Sequence, residues 1–89
     1  MKVVLHKTFV KNFDKRIKPS HNLCIRFRQR LSLFVKDSKN PVLKDHALIG
    51  RLLVLRSFSI SGDIRVVYRK ITHDCVEFMD IGTHPQVYR

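Results

Sequence analysis

Residues 56–69 read RSFSISGDIRVVYR. A β-prone run meets Ser61-Gly62-Asp63, which is turn chemistry, and a second run follows in which Ile64, Val66 and Tyr68 alternate with Arg65, Val67 and Arg69. The first run starts upstream, so the expected strand is RLLVLRSFSI over 51–60. Downstream, Thr72-His73-Asp74 is another turn and CVEFMDIG over 75–82 is a third strand. Three successive strands joined by tight turns predict an antiparallel meander.

The chain before the meander has a different period. KVVLH over 2–6 reads as a short strand, free to pair at an edge or between two others. Phe9, Phe13 and Ile17 then recur every four residues, the spacing of one helix face, with Thr8 as the expected N-cap and Asp14 within i,i+4 reach of Lys18. Pro19 ends that helix and Ser20 starts another. In HNLCIRFRQRLSLFVKDS, residues Leu23, Phe27, Leu31, Phe34 and Val35 form an apolar stripe, and Arg26 and Arg30 line the opposite side. Lys39-Asn40-Pro41 closes the second helix, and 45–50 reads as a loop entering a strand. The expected order is β-α-α-β-β-β: an α+β fold with a helical hairpin packed on a small antiparallel sheet, in one domain over residues 1–89.

Charge narrows the partners. Lys and Arg number 18 against 7 Asp and Glu, a formal net charge of +11 on 89 residues. Residues 1–36 hold ten of the basic residues and one acid, Asp14. Such a field draws polyanions, nucleic acid first and an acidic protein second. Cys24 and Cys75 stand far apart inside apolar runs, which suggests buried thiols in a reducing compartment. No CxxC or HExxH spacing occurs and the five histidines are scattered, so neither a metal nor another cofactor is expected. No apolar run has the length of a membrane span, and the apolar part of MKVVLHKTF is too short for a signal peptide. The expected location is cytoplasmic, with no membrane partner.

Four stretches then stand together: KDHAL at 44–48, RSFSISGDIRVVYR at 56–69, DIGTH at 80–84, and Tyr88. Their order and spacing resemble the RelE/ParE superfamily of toxin–antitoxin toxins, in particular the YafQ-like RelE/StbE branch, over nearly the whole chain. The resemblance implies a RelE-like fold and a ribosome-dependent mRNA endoribonuclease that inhibits translation. Such toxins need no metal and leave a 2′,3′-cyclic phosphate or its 3′-phosphate product. A cognate antitoxin is implied as partner, besides mRNA and the rRNA of the ribosome, with DNA reached only through the antitoxin.

Cleaving RNA this way requires a base for the 2′-OH, positive charge for the phosphorane and an acid for the departing 5′-oxygen. The resemblance assigns His84 as general acid, Arg65 as transition-state stabiliser, His46 or Asp63 as general base and Tyr88 as the aromatic that orients a base or sugar. Lys44, Arg51, Arg56, Arg69, Arg26 and Arg30 are the expected RNA-binding cations; the three arginines Arg26, Arg28 and Arg30 also read as a plain solvated helix face. Two positions depart from the branch: Ser59 stands where a histidine is common, and Asp80 where some members carry a base. Both changes would weaken catalysis beside a phosphate. Two alternatives follow, a weak or inactive relative that only binds an antitoxin, and a ParE-like gyrase inhibitor.

Overall fold

In the computed structural model, residues 1–48 and 54–88 are described. The elements are β1 (Lys2–Leu5), α1 (Lys7–Arg16), α2 (His21–Lys36), a 3-10 turn (Pro41–Leu43), β2 (His46–Ala47), β3 (Arg56–Ser61), β4 (Ile64–Thr72), β5 (Cys75–Thr83) and α3 (His84–Val87). The five strands lie in the order β1-β5-β4-β3-β2. β2 through β5 pair antiparallel, as the meander requires, with Ser59 opposite Arg65 and Arg65 opposite Gly82. β1 takes the edge beside β5 and runs parallel to it, Val3 opposite Val76. The sheet is therefore mixed, where the sequence pattern led us to expect an antiparallel one. Two helices between β1 and the meander give the chain enough length to return to the starting end of the sheet, which a parallel pairing needs.

The hairpin of α1 and α2 covers one face. Phe9 and Ile17 of the first helical period are buried, and Phe13 packs against them. From α2, Phe34 stacks on Phe58 of β3 at 4.3 Å between ring centroids and meets Tyr68 of β4 edge-on at 5.0 Å. Phe78 of β5 joins both Phe34 and Phe58. Alternation along β3 and β4 thus places Phe58, Ile60, Val66 and Tyr68 inward, all essentially inaccessible. Removing a ring of this cluster costs about 3–5 kcal/mol.

Some local expectations are corrected. The N-cap of α1 is His6, whose Nδ1 accepts from the Thr8 N–H at 3.0 Å, rather than Thr8 itself. Ser20 does cap α2, through its Oγ and the Leu23 N–H. That helix stops at Lys36, before Lys39-Asn40-Pro41, and Val35 is exposed instead of joining the apolar stripe. Both cysteines are free and only half-buried. β3 begins at Arg56; residues 51–53 of the expected strand, and with them Arg51, lie outside the described residues. Among the described residues no helix is long and apolar enough to cross a membrane.

Candidate functional site

β2, β3 and β4 lie side by side, and their register aligns a polar row on the face away from the helices. His46 stands opposite Ser57, Ser59 stands two residues on from Ser57, and Arg65 stands opposite Ser59. Because side chains alternate along a strand, these four share one face while Phe58 and Val66 point into the core. They line a small cleft of about 90 Å³ together with Lys44 and Gly62. Gly62 has φ +51°, the left-handed conformation that the tight turn between β3 and β4 requires.

The chain end closes over this row. After β5 the backbone enters α3, whose Thr83 N–H donates to Gln86 Oε1 at 2.8 Å. The single turn returns Tyr88 across the sheet, where its hydroxyl donates to Ser57 Oγ at 2.6 Å. Its ring receives the Arg65 guanidinium at 5.6 Å from the centroid and the His84 ring edge-on at 4.4 Å. Asp63, in the turn, accepts from the His84 backbone N–H at 3.2 Å and lies 3.7 Å from Arg65 Nη2. Four of the expected catalytic residues, Asp63, Arg65, His84 and Tyr88, are thus in one contact chain. His46 joins them through the shared cleft.

Two geometric details bear on chemistry. His46 Nδ1 is 2.8 Å from the Lys44 carbonyl oxygen. A carbonyl only accepts, so Nδ1 carries the proton and the lone pair of the neutral ring is on Nε2. Lys44 itself has φ 51° and ψ 38°, a conformation a lysine adopts at a cost of about 1–2 kcal/mol. That twist ends the 3-10 turn and sets the carbonyl that holds His46. Second, Arg65 Nε is buried and has no hydrogen-bond acceptor among the described residues. A buried guanidinium N–H without a partner is costly unless an anion is brought to it.

The remaining cations are placed otherwise. Arg30 bridges the Val42 carbonyl at 3.0 Å and the Ser59 carbonyl at 3.3 Å, tying α2 to the 3-10 turn and β3. Its guanidinium is thus committed within the fold, while Arg26 is exposed on α2. Arg56 donates through Nε to Asp45 Oδ1 at 2.9 Å, and Arg69 through Nε to Glu77 at 2.8 Å. Asp80, one of the two departures, is turned to α1: it accepts from Asn12 at 2.7 Å and from its neighbour's Ile81 N–H, with Arg16 at 3.4 Å. Its charge is therefore answered by α1, and it is not among the residues that line the cleft of Arg65.

Sequence reading did not single out Asp45 or Ser57. The Asp45 carboxylate takes Arg56 on one oxygen and the Tyr68 hydroxyl on the other. Burial first, and then the bond to Asp45, push the Tyr68 phenol well above its ordinary value. Burial alone would lower Arg56, but its bonds with Tyr68 and Asp45 outweigh that and raise it. α3 was also missed, although Thr83 with Gln86 three residues on and Pro85 between them is a legible helix start.

No family model matches the chain, and no curated protein matches it by sequence. Solved structures do. Escherichia coli YafQ is 19% identical, with a TM-score of 0.82 over 99% of this chain and 98% of that one. YafQ in its complex with DinJ matches with a TM-score of 0.79 at 19% identity, over 99% of this chain and 98% of that one. A copper-bound mutant toxin from Helicobacter pylori is 28% identical, with a TM-score of 0.77 over 99% of each chain. A YoeB/ParE toxin from Agrobacterium tumefaciens is 16% identical, with a TM-score of 0.77 over 94% of this chain and 99% of that one. The chain has the RelE/YafQ-like toxin fold.

Proposed function

We propose that this chain is the toxin of a toxin–antitoxin pair and that it cleaves mRNA on the ribosome, by attack of a ribose 2′-OH on the adjacent phosphate. The observation that carries the reading is that His46 and Arg65 share one polar cleft while Tyr88 and His84 join Arg65 through ring contacts, with Arg65 Nε buried and lacking an acceptor among the described residues. The shared fold with YafQ and with YoeB/ParE toxins supports the toxin role. YafQ and DinJ form a toxin–antitoxin complex in E. coli, which supports an antitoxin partner here.

In this mechanism the His46 Nε2 lone pair takes the 2′-OH proton, since Nδ1 is held as donor by the Lys44 carbonyl. The 2′-oxygen bonds to phosphorus and the bond to the 5′-oxygen breaks. The Arg65 guanidinium answers the charge that builds on the phosphorane. His84 donates the proton that the 5′-oxygen takes as it leaves, giving a 2′,3′-cyclic phosphate and a 5′-OH. Tyr88 fixes the relative places of Arg65 and His84 and offers its ring to a base. Asp63 serves as the positioning carboxylate, because its oxygens face the His84 N–H and Arg65. Between the two candidate bases, this leaves His46. No metal ion is needed for any step.

The test is expression in cells with growth and mRNA 5′ ends followed together. Wild type is expected to arrest growth and to produce new 5′ ends inside translated messages. Arg65→Ala and His84→Ala, folded and expressed, are each expected to lose on the order of 10²–10³ of the cleavage rate. Arrest with intact mRNA would move the reading to a gyrase-type target. No arrest from folded protein would leave an antitoxin-binding module.

A further inference from the structure

A second cleft lies on the other face of the sheet from the polar row. It measures about 280 Å³ and is lined by Lys39, Asn40, Lys44, Asp45, Arg56 and Lys70, among others, with Tyr68 at its floor. The register explains the side: Arg56 stands opposite Tyr68, and both share the helix-facing alternation with Phe58. The 3-10 turn and the residues after α2 form its rim.

Its electrostatics are one-sided. Four cations, Lys39, Lys44, Arg56 and Lys70, face one carboxylate, Asp45. Asp45 is already engaged on both oxygens, by Arg56 Nε and by the Tyr68 hydroxyl. Its side chain is only 9% exposed, so it is a floor group and no counter-ion for the lysines at the rim. Among the described residues, no ion pair reaches the ammonium group of Lys39, Lys44 or Lys70. Three unanswered ammonium groups around a concave surface repel one another and focus field into it. Asn40 and Ser38 add short polar side chains at the same rim. Lys44 lines this cleft and also the cleft of Arg65 and His46, so the two sites meet at one residue.

The geometry points to a phosphate-binding subsite in this cleft, held by Lys39, Lys44 and Lys70, which takes a backbone phosphate of the same RNA strand beside the one that is cut. The strand would cross the edge of the sheet at β2, with the scissile phosphate at Arg65 and a neighbouring phosphate behind Lys44. A phosphate suits the cleft better than a carboxylate because it offers several oxygens to point charges that lack the planar fork of arginine. The subsite rests on the RNA reading proposed above.

Two measurements on the full chain test it. The first is binding of a single-stranded RNA made wholly of 2′-O-methyl nucleotides, which cannot be cut, as a function of salt. Lys39→Ala/Lys70→Ala is expected to weaken binding about tenfold and to flatten the plot of log K against log salt by about 0.7–1.4, the value for one or two phosphates on a single strand. Both lysines are exposed, so the fold is expected to stand. Lys7→Ala/Lys11→Ala on α1 removes equal charge at a distance and is expected to leave the slope within error. An equal slope for wild type and the Lys39/Lys70 variant, with RNA still bound, would overturn the subsite. The second measurement is a titration with inorganic phosphate, read at the backbone amides of Asn40 and Asp45. Saturable shifts in wild type that vanish in Lys39→Ala/Lys70→Ala support a phosphate site even if RNA is not the substrate. Linear drift in both proteins removes it. RNA failure with saturable phosphate shifts therefore counts against the proposed function and not against the cleft.

Discussion

At the residue scale, Tyr88 has the most distinctive surroundings. Its hydroxyl is tied to Ser57, its ring receives Arg65, and His84 stands against its edge. If the tyrosine mainly positions Arg65 and His84, then Tyr88→Phe keeps the ring and loses only the bond to Ser57. The expected result is a fall of several-fold in kcat with KM nearly unchanged, and Ser57→Ala should match it. Tyr88→Ala removes the ring as well and is expected to lose at least tenfold more. A Tyr88→Phe enzyme as slow as Tyr88→Ala would mean that the hydroxyl itself takes part in chemistry. A different residue, Asp45, holds structure rather than reaction. Asp45→Ala leaves Arg56 and the Tyr68 hydroxyl without their shared acceptor, and is expected to cost about 1.5–3 kcal/mol in chemical denaturation. The site histidines and Arg65 were legible because they stand in stretches whose order and spacing resemble a known family; taken singly, a histidine on a loop is ordinary. Asp45 and Ser57 were not, because an aspartate before a histidine and a serine in an alternating strand have ordinary reasons to be there. Only the pairing of β2 with β3, and the return of the chain end, give them partners.

At the scale of elements, the sequence pattern identified both helices and the meander because their apolar periods are strong. It left the partner of β1 open, since a four-residue strand carries no signal of direction. Its parallel pairing is set by the hairpin that precedes the meander. The same scale explains Asp80. Read as a letter beside DIGTH, it looked like a misplaced anion near a phosphate. Read in the fold, it fastens α1 to β5 through Asn12 and Arg16. Asp80→Lys, which places a base there as in some members of the branch that the sequence resembles, is therefore expected to destabilise the protein by about 1.5–3 kcal/mol and not to raise the cleavage rate. Increased hydrogen exchange in α1 with unchanged rate is the expected pattern; a faster enzyme would restore the reading of Asp80 as a catalytic defect. The 3-10 turn offers a complementary test. Lys44→Gly relieves the left-handed backbone and is expected to stabilise by up to about 1 kcal/mol, while RNA binding weakens through loss of the ammonium group.

At the scale of the molecule, a small mixed sheet carries its core on one face and a basic, polar row on the other. One titration reports on the whole fold. The Tyr68 phenol is held above its ordinary value of 10.0 by burial and by Asp45. Above about pH 10 the unfolded chain loses that proton while the folded chain keeps it, so the native state binds more protons and stability falls as pH rises. The contribution is complete below that pH and is lost as pH climbs toward the folded value. Unfolding free energy is expected to drop more steeply between pH 9.5 and 11 in wild type than in Tyr68→Phe. Equal slopes would mean the phenol is not held in this way.

The central claim is that His46 and Arg65 in their shared cleft, with Tyr88 and His84 joined to Arg65 by ring contacts, cut RNA through its own 2′-OH. The most direct measurement is a purified translation reaction with the wild-type chain, in which both new ends of the message are identified chemically. The expected result is a 2′,3′-cyclic phosphate facing a 5′-OH at positions within the reading frame, absent with Arg65→Ala. Intact message with stalled synthesis, or cleavage that leaves a 5′-phosphate, would contradict it.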